Sequence, residues 1–197
     1  MDSFDRRIDA AFEPLRGRPG PDRAAALLSN LADYGFIWVL LALFKGRRRG
    51  PDRRRAVVGL GAAGVSSLGV SRVVKASAQR ERPELHLDAR VRTPSSSSFP
   101  SGHTLAAFCT AVVLSETDLE TAAYLGFAGA VATSRVHLKA HHPSDVVGGA
   151  LIGSVLGMVL RPVVTLLTPG TRGRAKRKRA TRRTKGMGRQ GYLLKKL

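Results

Sequence analysis

Long apolar segments separated by basic segments constrain the fold of this chain more than any other feature. Three of them, Ala24–Phe44, Ala56–Val74 and Asp145–Leu167, contain 21, 19 and 23 residues, and about 20 apolar residues in a helix cross the hydrocarbon core of a bilayer. Two further runs, Thr104–Ser115 and Thr121–Val136, reach that length only if flanking polar residues continue their helices. The sequence therefore predicts an all-α, integral-membrane helical bundle of five spans, or of six if the count is short by one.

The positive charge of the chain is concentrated in two segments. The net charge is +19; residues 45–55 hold seven cations against one acid, and residues 169–197 hold twelve cations and no acid. Because Lys and Arg beside membrane spans favour the cytoplasmic side, we expect both segments inside the cell. Five spans with an outward N-terminus satisfy this, since the first segment then follows one crossing and the second follows five. The same count places the connections 75–101 and 138–144 on the outer face of the plasma membrane.

Composition divides the chain into an N-terminal segment, residues 1–23, a membrane domain, residues 24–168, and a basic tail, residues 169–197. In the N-terminal segment apolar side chains recur at helical spacing among charged ones, which predicts an amphipathic helix at the membrane interface. These side chains are Phe4, Ile8, Phe12 and Leu15, and Gly17–Pro21 is expected to end the helix. Asp33, inside the first apolar run, would need a polar partner or a wet cavity.

The tail is expected to be disordered, to stay in the cytoplasm and to contact anionic lipid. Its run Arg-Ala-Lys-Arg-Lys-Arg also resembles a basic patch that binds nucleic acid. Nucleic acid is nevertheless the less favoured partner, because the tail has no aromatic residue apart from Tyr192 and such binding leaves the apolar segments unexplained.

The first of three polar clusters is Lys75 with Arg82 and Pro83. A separation of seven residues would place both cations on one face of a helix, about 10 Å apart, with Pro83 ending that helix. Cations at a membrane interface usually extend their charged ends into water, so the pair alone is weak evidence of a site.

The second cluster, Pro100-Ser101-Gly102-His103, stands immediately before an apolar run. The free N–H groups and the dipole at a helix N-terminus attract anions. Gly102 would let the backbone approach a ligand closely, and Ser101 could add a hydroxyl donor. The cluster predicts a loop followed by a helix that begins at an anion site.

The third cluster is the most specific: Ser134-Arg135, then His141, then Asp145. Pro143 suits the first turn of a helix, so Asp145 is predicted in that turn and His141 just outside it. A carboxylate there can fix the imidazole tautomer that leaves the other nitrogen free to attack. Arg135 can bind two phosphate oxygens at once.

His137 and His142 compete with His141 for the role of attacking group. Neither has an acid four residues later, as His141 has in Asp145, so both are interpreted as ordinary interfacial histidines.

Together the clusters resemble the motif triplet of the type 2 phosphatidic-acid phosphatase superfamily. The pattern is Lys-x6-Arg-Pro, Pro-Ser-Gly-His and Ser-Arg-x5-His-x3-Asp, and every position is filled, in order. The resemblance covers residues 24–168, which it identifies as a membrane phosphatase domain.

The resemblance implies a lipid phosphate phosphatase whose site faces outward. His141 would attack phosphorus and form a phosphohistidine, Asp145 would orient it, and His103 would protonate the leaving oxygen and then activate water. The phosphate-binding residues would be Lys75, Arg82, Ser101, Gly102 and Arg135. No carboxylate cluster suited to magnesium is apparent, so no metal and no cofactor are expected.

Several alternatives stay open at this stage. Phosphatidic acid, a polyprenyl diphosphate and a prenyl-linked sugar phosphate would all reach an outer interfacial site laterally, and the oligomeric state is not specified. A vanadate-dependent haloperoxidase shares such a pocket, but it predicts a larger, soluble protein. A membrane-anchored protein that binds anions or nucleic acid with a vestigial site is the third alternative.

Overall fold

The computed structural model of the protein describes residues 2–32, 36–46, 51–83 and 96–169, and this part of the chain is helices and loops without a β-strand. The helices are α1 (Ser3–Phe12), α2 (Pro19–Ala32), α3 (Phe36–Gly46), α4 (Pro51–Ala78), α5 (Gly102–Leu114), α6 (Asp118–His137) and α7 (Pro143–Leu167), with a 3₁₀ turn at Glu13–Leu15. The all-α prediction is confirmed. The basic tail beyond Pro169 lies outside the described residues.

Helix α5 is the centre of the bundle, in contact with α4, α6 and α7. Leu105, Cys109 and Ala111 are fully buried in it. With 13 residues, α5 is about 20 Å long and does not reach spanning length, so the polar residues flanking 104–115 do not extend it as a span requires. Its apolar composition is explained by its central position, since no residue of α5 is exposed.

Helix α7 packs on α5 through three glycines one turn apart, Gly149, Gly153 and Gly157. A Cβ at Gly153 would lie 2.3 Å from the carbonyl oxygen of Leu105, and one at Gly157 would lie 2.9 Å from that of Cys109. Small residues spaced in this way let two apolar helices approach backbone to backbone. The close contact places the N-termini of α5 and α7 side by side.

We expect Gly153→Ala to lower the free energy of unfolding by about 1–3 kcal/mol, because the new methyl group can only be accommodated by separating α5 from α7. The matched control is Gly126→Ala on α6, where a Cβ would meet nothing within 4 Å. That change should leave stability equal or slightly higher, since alanine favours helix. Thermal unfolding in one detergent compares the two variants; equal stability would contradict the packing argument.

Two helices in the described residues are long and apolar enough to cross a membrane, within Arg53–Ala78 and Pro143–Leu167. Their outer faces carry exposed apolar side chains, such as Val65 at 76 % and Leu151 at 64 % exposure. Proteins in water rarely expose apolar surface on this scale, whereas contact with lipid tails stabilises it. The predicted first span, 24–44, falls on α2 and α3; residues 33–35, with Asp33, lie outside the described residues.

The N-terminal segment ends differently from the prediction. Gly17 has φ +78° and breaks the chain direction, but Pro19, Gly20 and Pro21 form the first turn of α2, where proline is well tolerated. In α1 the fully buried side chain is Asp5, while Phe4 is 48 % and Ile8 is 37 % exposed. Helix α1 therefore turns Asp5 toward the bundle together with Phe12, which packs against Val136 and His137, while Phe4 and Ile8 stay exposed.

Candidate active site

A cavity of about 850 Å³ opens among α3, α4 and α5 at the end of the bundle where the three polar clusters meet. Its polar end is lined by Lys75, Arg82, His103, Arg135 and His141. These side chains come from all three clusters, which are far apart in sequence. The structure thus brings together four predicted phosphate-binding or acid–base groups and the predicted nucleophile.

Lys75 and Arg82 lie near each other at the cavity, but not through the helical spacing that the sequence predicted. Helix α4 ends at Ala78, and Gln79 turns the chain with φ +40°, so Arg82 lies on a loop and the prediction of one shared helical face was wrong. Both cations instead hold the segment before α5. Lys75 Nζ donates to the carbonyl oxygen of Ser97 at 2.9 Å, and Arg82 Nε donates to that of Ser96 at 3.2 Å.

The second cluster begins α5 as predicted, with Ser101 as the N-cap residue and Gly102 as the first helical residue. The N–H of Ser101 donates to the carbonyl oxygen of Asp145 at 3.0 Å, and its hydroxyl accepts from Thr104 at 3.0 Å. Ser101 is fully buried and is not among the residues that line the cavity, whereas Gly102 and His103 are. The contacts of Ser101 join the N-termini of α5 and α7.

The third cluster is shaped by a tight turn after α6. Lys139 adopts φ +52°, and the N–H groups of Ala140 and His141 both donate to the carbonyl oxygen of Arg135, at 3.0 and 3.3 Å. This turn satisfies carbonyls that the end of α6 would leave open. Helix α7 then begins at Pro143 with Asp145 in its first turn, so the predicted placement is confirmed.

His141 is nearly fully buried, with its two ring nitrogens in different surroundings. Nδ1 lies 3.7 Å from Oδ2 of Asp145 and 3.5 Å from the hydroxyl of Ser98, which itself donates to that oxygen. Nε2 lies 3.2 Å from Nη1 of Arg82, on the cavity side. Nδ1 therefore faces the carboxylate, while Nε2 faces the space where a phosphate would bind.

Burial, with the positive charges of Arg135 and Arg82 nearby, lowers the pKa of His141 to about 3. The imidazole is then neutral at neutral pH. With the proton on Nδ1, toward Asp145, Nε2 keeps its lone pair. An imidazole in this state is a competent nucleophile.

Arg135 is fully buried in the last turn of α6 and lines the cavity. Its Nη1 forms a hydrogen bond with the hydroxyl of Ser29 on α2, which is also fully buried. Helix α2 thus helps to hold the guanidinium in place.

The two competing histidines lie elsewhere. His137 places Nε2 2.8 Å from Oδ1 of Asp22, and His142 is the N-cap residue of α7. Neither is among the residues that line the cavity.

Sequence reasoning missed two side chains that contact Asp145, Ser98 and Arg80, and two that contact Arg80, Ser144 and Asp5. Arg80 Nη1 donates to Oδ1 of Asp145 at 2.6 Å, and Nη2 donates to Asp5 at 2.7 Å. Arg80 lies in the unspecified gap of Lys-x6-Arg-Pro, and Ser98 is one of four consecutive serines, so no spacing distinguished either. Within the described ranges, no group of three or more His, Cys, Asp or Glu could hold a metal ion.

The family model of the PAP2 superfamily matches residues 54–168. The chain belongs to the PAP2 superfamily. That match includes all three clusters, and it confirms the resemblance drawn from their spacing. The N-terminal segment and the basic tail lie outside it.

Two curated relatives are described as decaprenylphosphoryl-5-phosphoribose phosphatases. The one from Mycolicibacterium smegmatis is 37% identical over 147 residues, 74% of this chain and 80% of that protein. The one from Mycobacterium tuberculosis is 32% identical over 156 residues, 78% of this chain and 86% of that protein.

Among solved structures, a transmembrane PAP2-type phosphatidylglycerolphosphate phosphatase from Bacillus subtilis superposes with a TM-score of 0.66 at 25% identity, over 82% of this chain and 84% of that one. Aquifex aeolicus LpxE, at 23% identity and a TM-score of 0.62 over 80% and 94% of the two chains, shares the fold. This PAP2 protein is a membrane lipid phosphatase. The relatives favour that function over a haloperoxidase or a binding protein.

Proposed function

We propose that this phosphatase removes the terminal phosphate from a polyprenyl-phosphoryl sugar phosphate through a phosphohistidine intermediate. The observation that carries the substrate class is the description of the two curated relatives. The matches to this chain span 80% and 86% of their lengths. Such a substrate has a phosphomonoester on the sugar, a phosphodiester on the other side of the sugar, and a long apolar chain. The cavity offers surroundings for all three parts.

The cavity changes from apolar to cationic along α4. Leu60 and Leu68 line its deep end, Arg72 and Lys75 line its outer end, and Leu60 to Lys75 is about 22 Å of helix. Trp38 on α3 adds to the apolar part. A lipid chain would lie against the deep end while its phosphates meet the cations.

Arg72 is the residue that favours a substrate with two anionic groups. It lies one turn deeper than Lys75, about 4.5 Å along the helix axis, at the boundary with the apolar part of the cavity. In the part of the chain that the structure describes, no hydrogen bond or ion pair involves its side chain. A cation inside an apolar segment is costly and marks a functional site. We assign Arg72 to the inner phosphodiester.

In the reaction that we infer, the two histidines that line the cavity act in turn. Nε2 of His141 attacks phosphorus, the bond from phosphorus to the sugar oxygen breaks, and His103 gives that oxygen a proton. His103 then takes a proton from water, which attacks the phosphohistidine and releases inorganic phosphate. Asp145 keeps the His141 proton on Nδ1, and Lys75, Arg82 and Arg135 stabilise the charge on the transferring group. Gly102, which lines the cavity, completes the phosphate-binding set in this proposal, and Ser101, which is buried beside it, would act by holding the N-terminus of α5 against α7.

For the membrane arrangement we infer that the chain passes through the bundle five times, with α5 as a short central passage enclosed by α4, α6 and α7 and not as a full-length span. Residues 24–168 would be the catalytic domain of a plasma-membrane protein, with the active site outside. Helix α1 would lie at the outer interface with Phe4 and Ile8 toward lipid, since both are exposed. The basic tail would stay in the cytoplasm on anionic lipid. A topology reporter fused after Leu167 should report the cytoplasm; an external signal would rule out this orientation.

Phosphate release from a lipid panel tests the substrate class. In EDTA, to test metal independence, we expect a prenyl-phosphoryl sugar phosphate to exceed phosphatidic acid in kcat/KM. Arg72→Gln should lower kcat/KM for the first substrate by about 10- to 100-fold, as for loss of a charge-assisted hydrogen bond, and leave phosphatidic acid within about 2-fold.

The matched control is Arg54→Gln, which removes an exposed cation from the other end of α4. It should leave kcat/KM unchanged for both substrates. Equal losses on both substrates in Arg72→Gln would contradict the phosphodiester assignment. Equal kcat/KM of the parent for both lipids would contradict the substrate class itself.

A further inference from the structure

Asp5 is the fully buried residue of a helix that otherwise lies on the surface. Its carboxylate accepts hydrogen bonds from the Ser144 N–H at 2.8 Å, the Ser144 hydroxyl at 2.9 Å and Arg80 Nη2 at 2.7 Å. A buried charge costs several kcal/mol unless it is paired and hydrogen-bonded in this way. So many contacts to one acid indicate a specific task for it.

Arg80 connects Asp5 with the orienting carboxylate of the active site. Its Nη1 donates to Oδ1 of Asp145 at 2.6 Å and to the hydroxyl of Ser144 at 2.7 Å. The guanidinium therefore lies between two buried acids. The family model matches residues 54–168, so the match does not include Asp5 and assigns no role to it.

Both groups of this pair carry their charges. Burial disfavours ionisation of Asp5, but hydrogen bonds from Ser144 and Arg80 outweigh it and hold the pKa of Asp5 below its usual range. Burial likewise opposes the charge on Arg80, yet the hydrogen bonds to Asp5 and Asp145 raise the pKa of Arg80.

The two oxygens of Asp145 have separate partners. Oδ2 accepts from the His142 N–H at 2.9 Å and from Ser98, and it is the oxygen nearest His141. Oδ1 is bound by Arg80. A carboxylate held at both oxygens cannot rotate, so its orientation toward His141 depends on Arg80.

We propose that Asp5 and Arg80 are positioning residues, with Asp5 holding the Arg80 guanidinium against Asp145 so that the N-terminal helix completes the active site. The proposal rests on the proposed function in one respect, that Asp145 orients the nucleophile His141. Without Asp5, the Arg80 guanidinium, which is 27% exposed, loses the partner of Nη2 and is held through Nη1 alone, so that it can turn toward the polar cleft that it shares with Lys75 and Arg82. In that position it no longer fixes Asp145.

A double-mutant cycle tests the pair. Asp5→Asn and Arg80→Gln should each lower kcat about 10- to 100-fold, with KM within about 2-fold, because binding is retained while the nucleophile is misaligned. The double variant should be no slower than Arg80→Gln, since Asp5 acts through Arg80. Rates are divided by the amount of folded, monodisperse protein, measured by size-exclusion chromatography in detergent, so that loss of folded protein does not enter kcat.

The matched control is Asp2→Asn, an exposed acid at the start of the same helix, which should keep the parent kcat. Asp5→Glu should recover part of the loss, because it retains the charge. The proposal would be overturned if the loss of kcat in the double variant equalled the product of the two single losses, or if Asp5→Asn kept the parent kcat. Asp145→Asn separates the two hypotheses: parent-like activity there refutes the role of Asp145, whereas a slow Asp145→Asn with a normal Asp5→Asn refutes only the pair.

Discussion

Replacing His141 with alanine is expected to lower kcat by about 10⁴-fold or more, the scale on which removal of a nucleophile acts in other covalent enzymes. His141 is the histidine of its loop that lines the cavity, with Nε2 toward the phosphate-binding cations and Nδ1 toward Asp145. Alanine offers no atom that can attack phosphorus. Phosphate release from the preferred lipid, at saturating substrate, measures the loss.

His137→Asn is the control, because His137 is also buried in this region but pairs with Asp22 instead of lining the cavity. It should keep kcat within a few-fold while lowering thermal stability, since the contact between the imidazole and Asp22 is lost. If His137→Asn abolished turnover and His141→Ala did not, the nucleophile would be misassigned.

The third cluster could be predicted from sequence because its geometry is local. Proline in the first turn of α7 fixes where that helix begins, and a spacing of four residues then carries His141 to the side of Asp145. The order of Ser101 and Gly102 at the start of α5 follows from the same helix-end rules. Each of these inferences needs only a few neighbouring residues.

Contacts between distant residues could not be predicted in this way. Arg80 meets Asp5 and Asp145 across 75 and 65 residues, and no periodicity records such a pairing. The error in the predicted end of α4 has a similar cause. Pro83 could have ended the helix, but the chain turns earlier, at Gln79, and this turn allows the Ser98 N–H to donate to the Arg80 carbonyl oxygen at 2.8 Å. Tertiary contacts decided between two local possibilities.

Apolar composition alone also led to a wrong prediction of a full span where the apolar side chains of a helix are covered by other helices and not by lipid. An apolar run in a membrane protein suits either a helix that faces lipid or one enclosed by other helices, and α5 is of the second kind. In α1 the apolar periodicity is real, but the buried side is marked by Asp5. An acid that is fully buried carries more structural information than the apolar residues beside it.

His103→Ala is expected to separate the two halves of the reaction. With a lipid substrate, kcat should fall by about 10²- to 10⁴-fold, because the sugar alkoxide leaves poorly without a proton from a general acid. With a nitrophenyl phosphate the phenolate leaves unaided, so His141 can still be phosphorylated. Hydrolysis of the phosphohistidine stays slow, since His103 is also needed to activate water.

The variant should therefore release a burst of one nitrophenol per active site and then stall, with phosphate trapped on His141 as an acid-labile, base-stable adduct. The parent enzyme should show continuous turnover, and the double variant with His141→Ala should show no burst. Rapid-quench measurement of nitrophenol and of protein-bound phosphate distinguishes these cases. Trapped phosphate on a residue other than His141 would contradict the mechanism, and rapid turnover of the nitrophenyl ester by His103→Ala would mean that another group activates water.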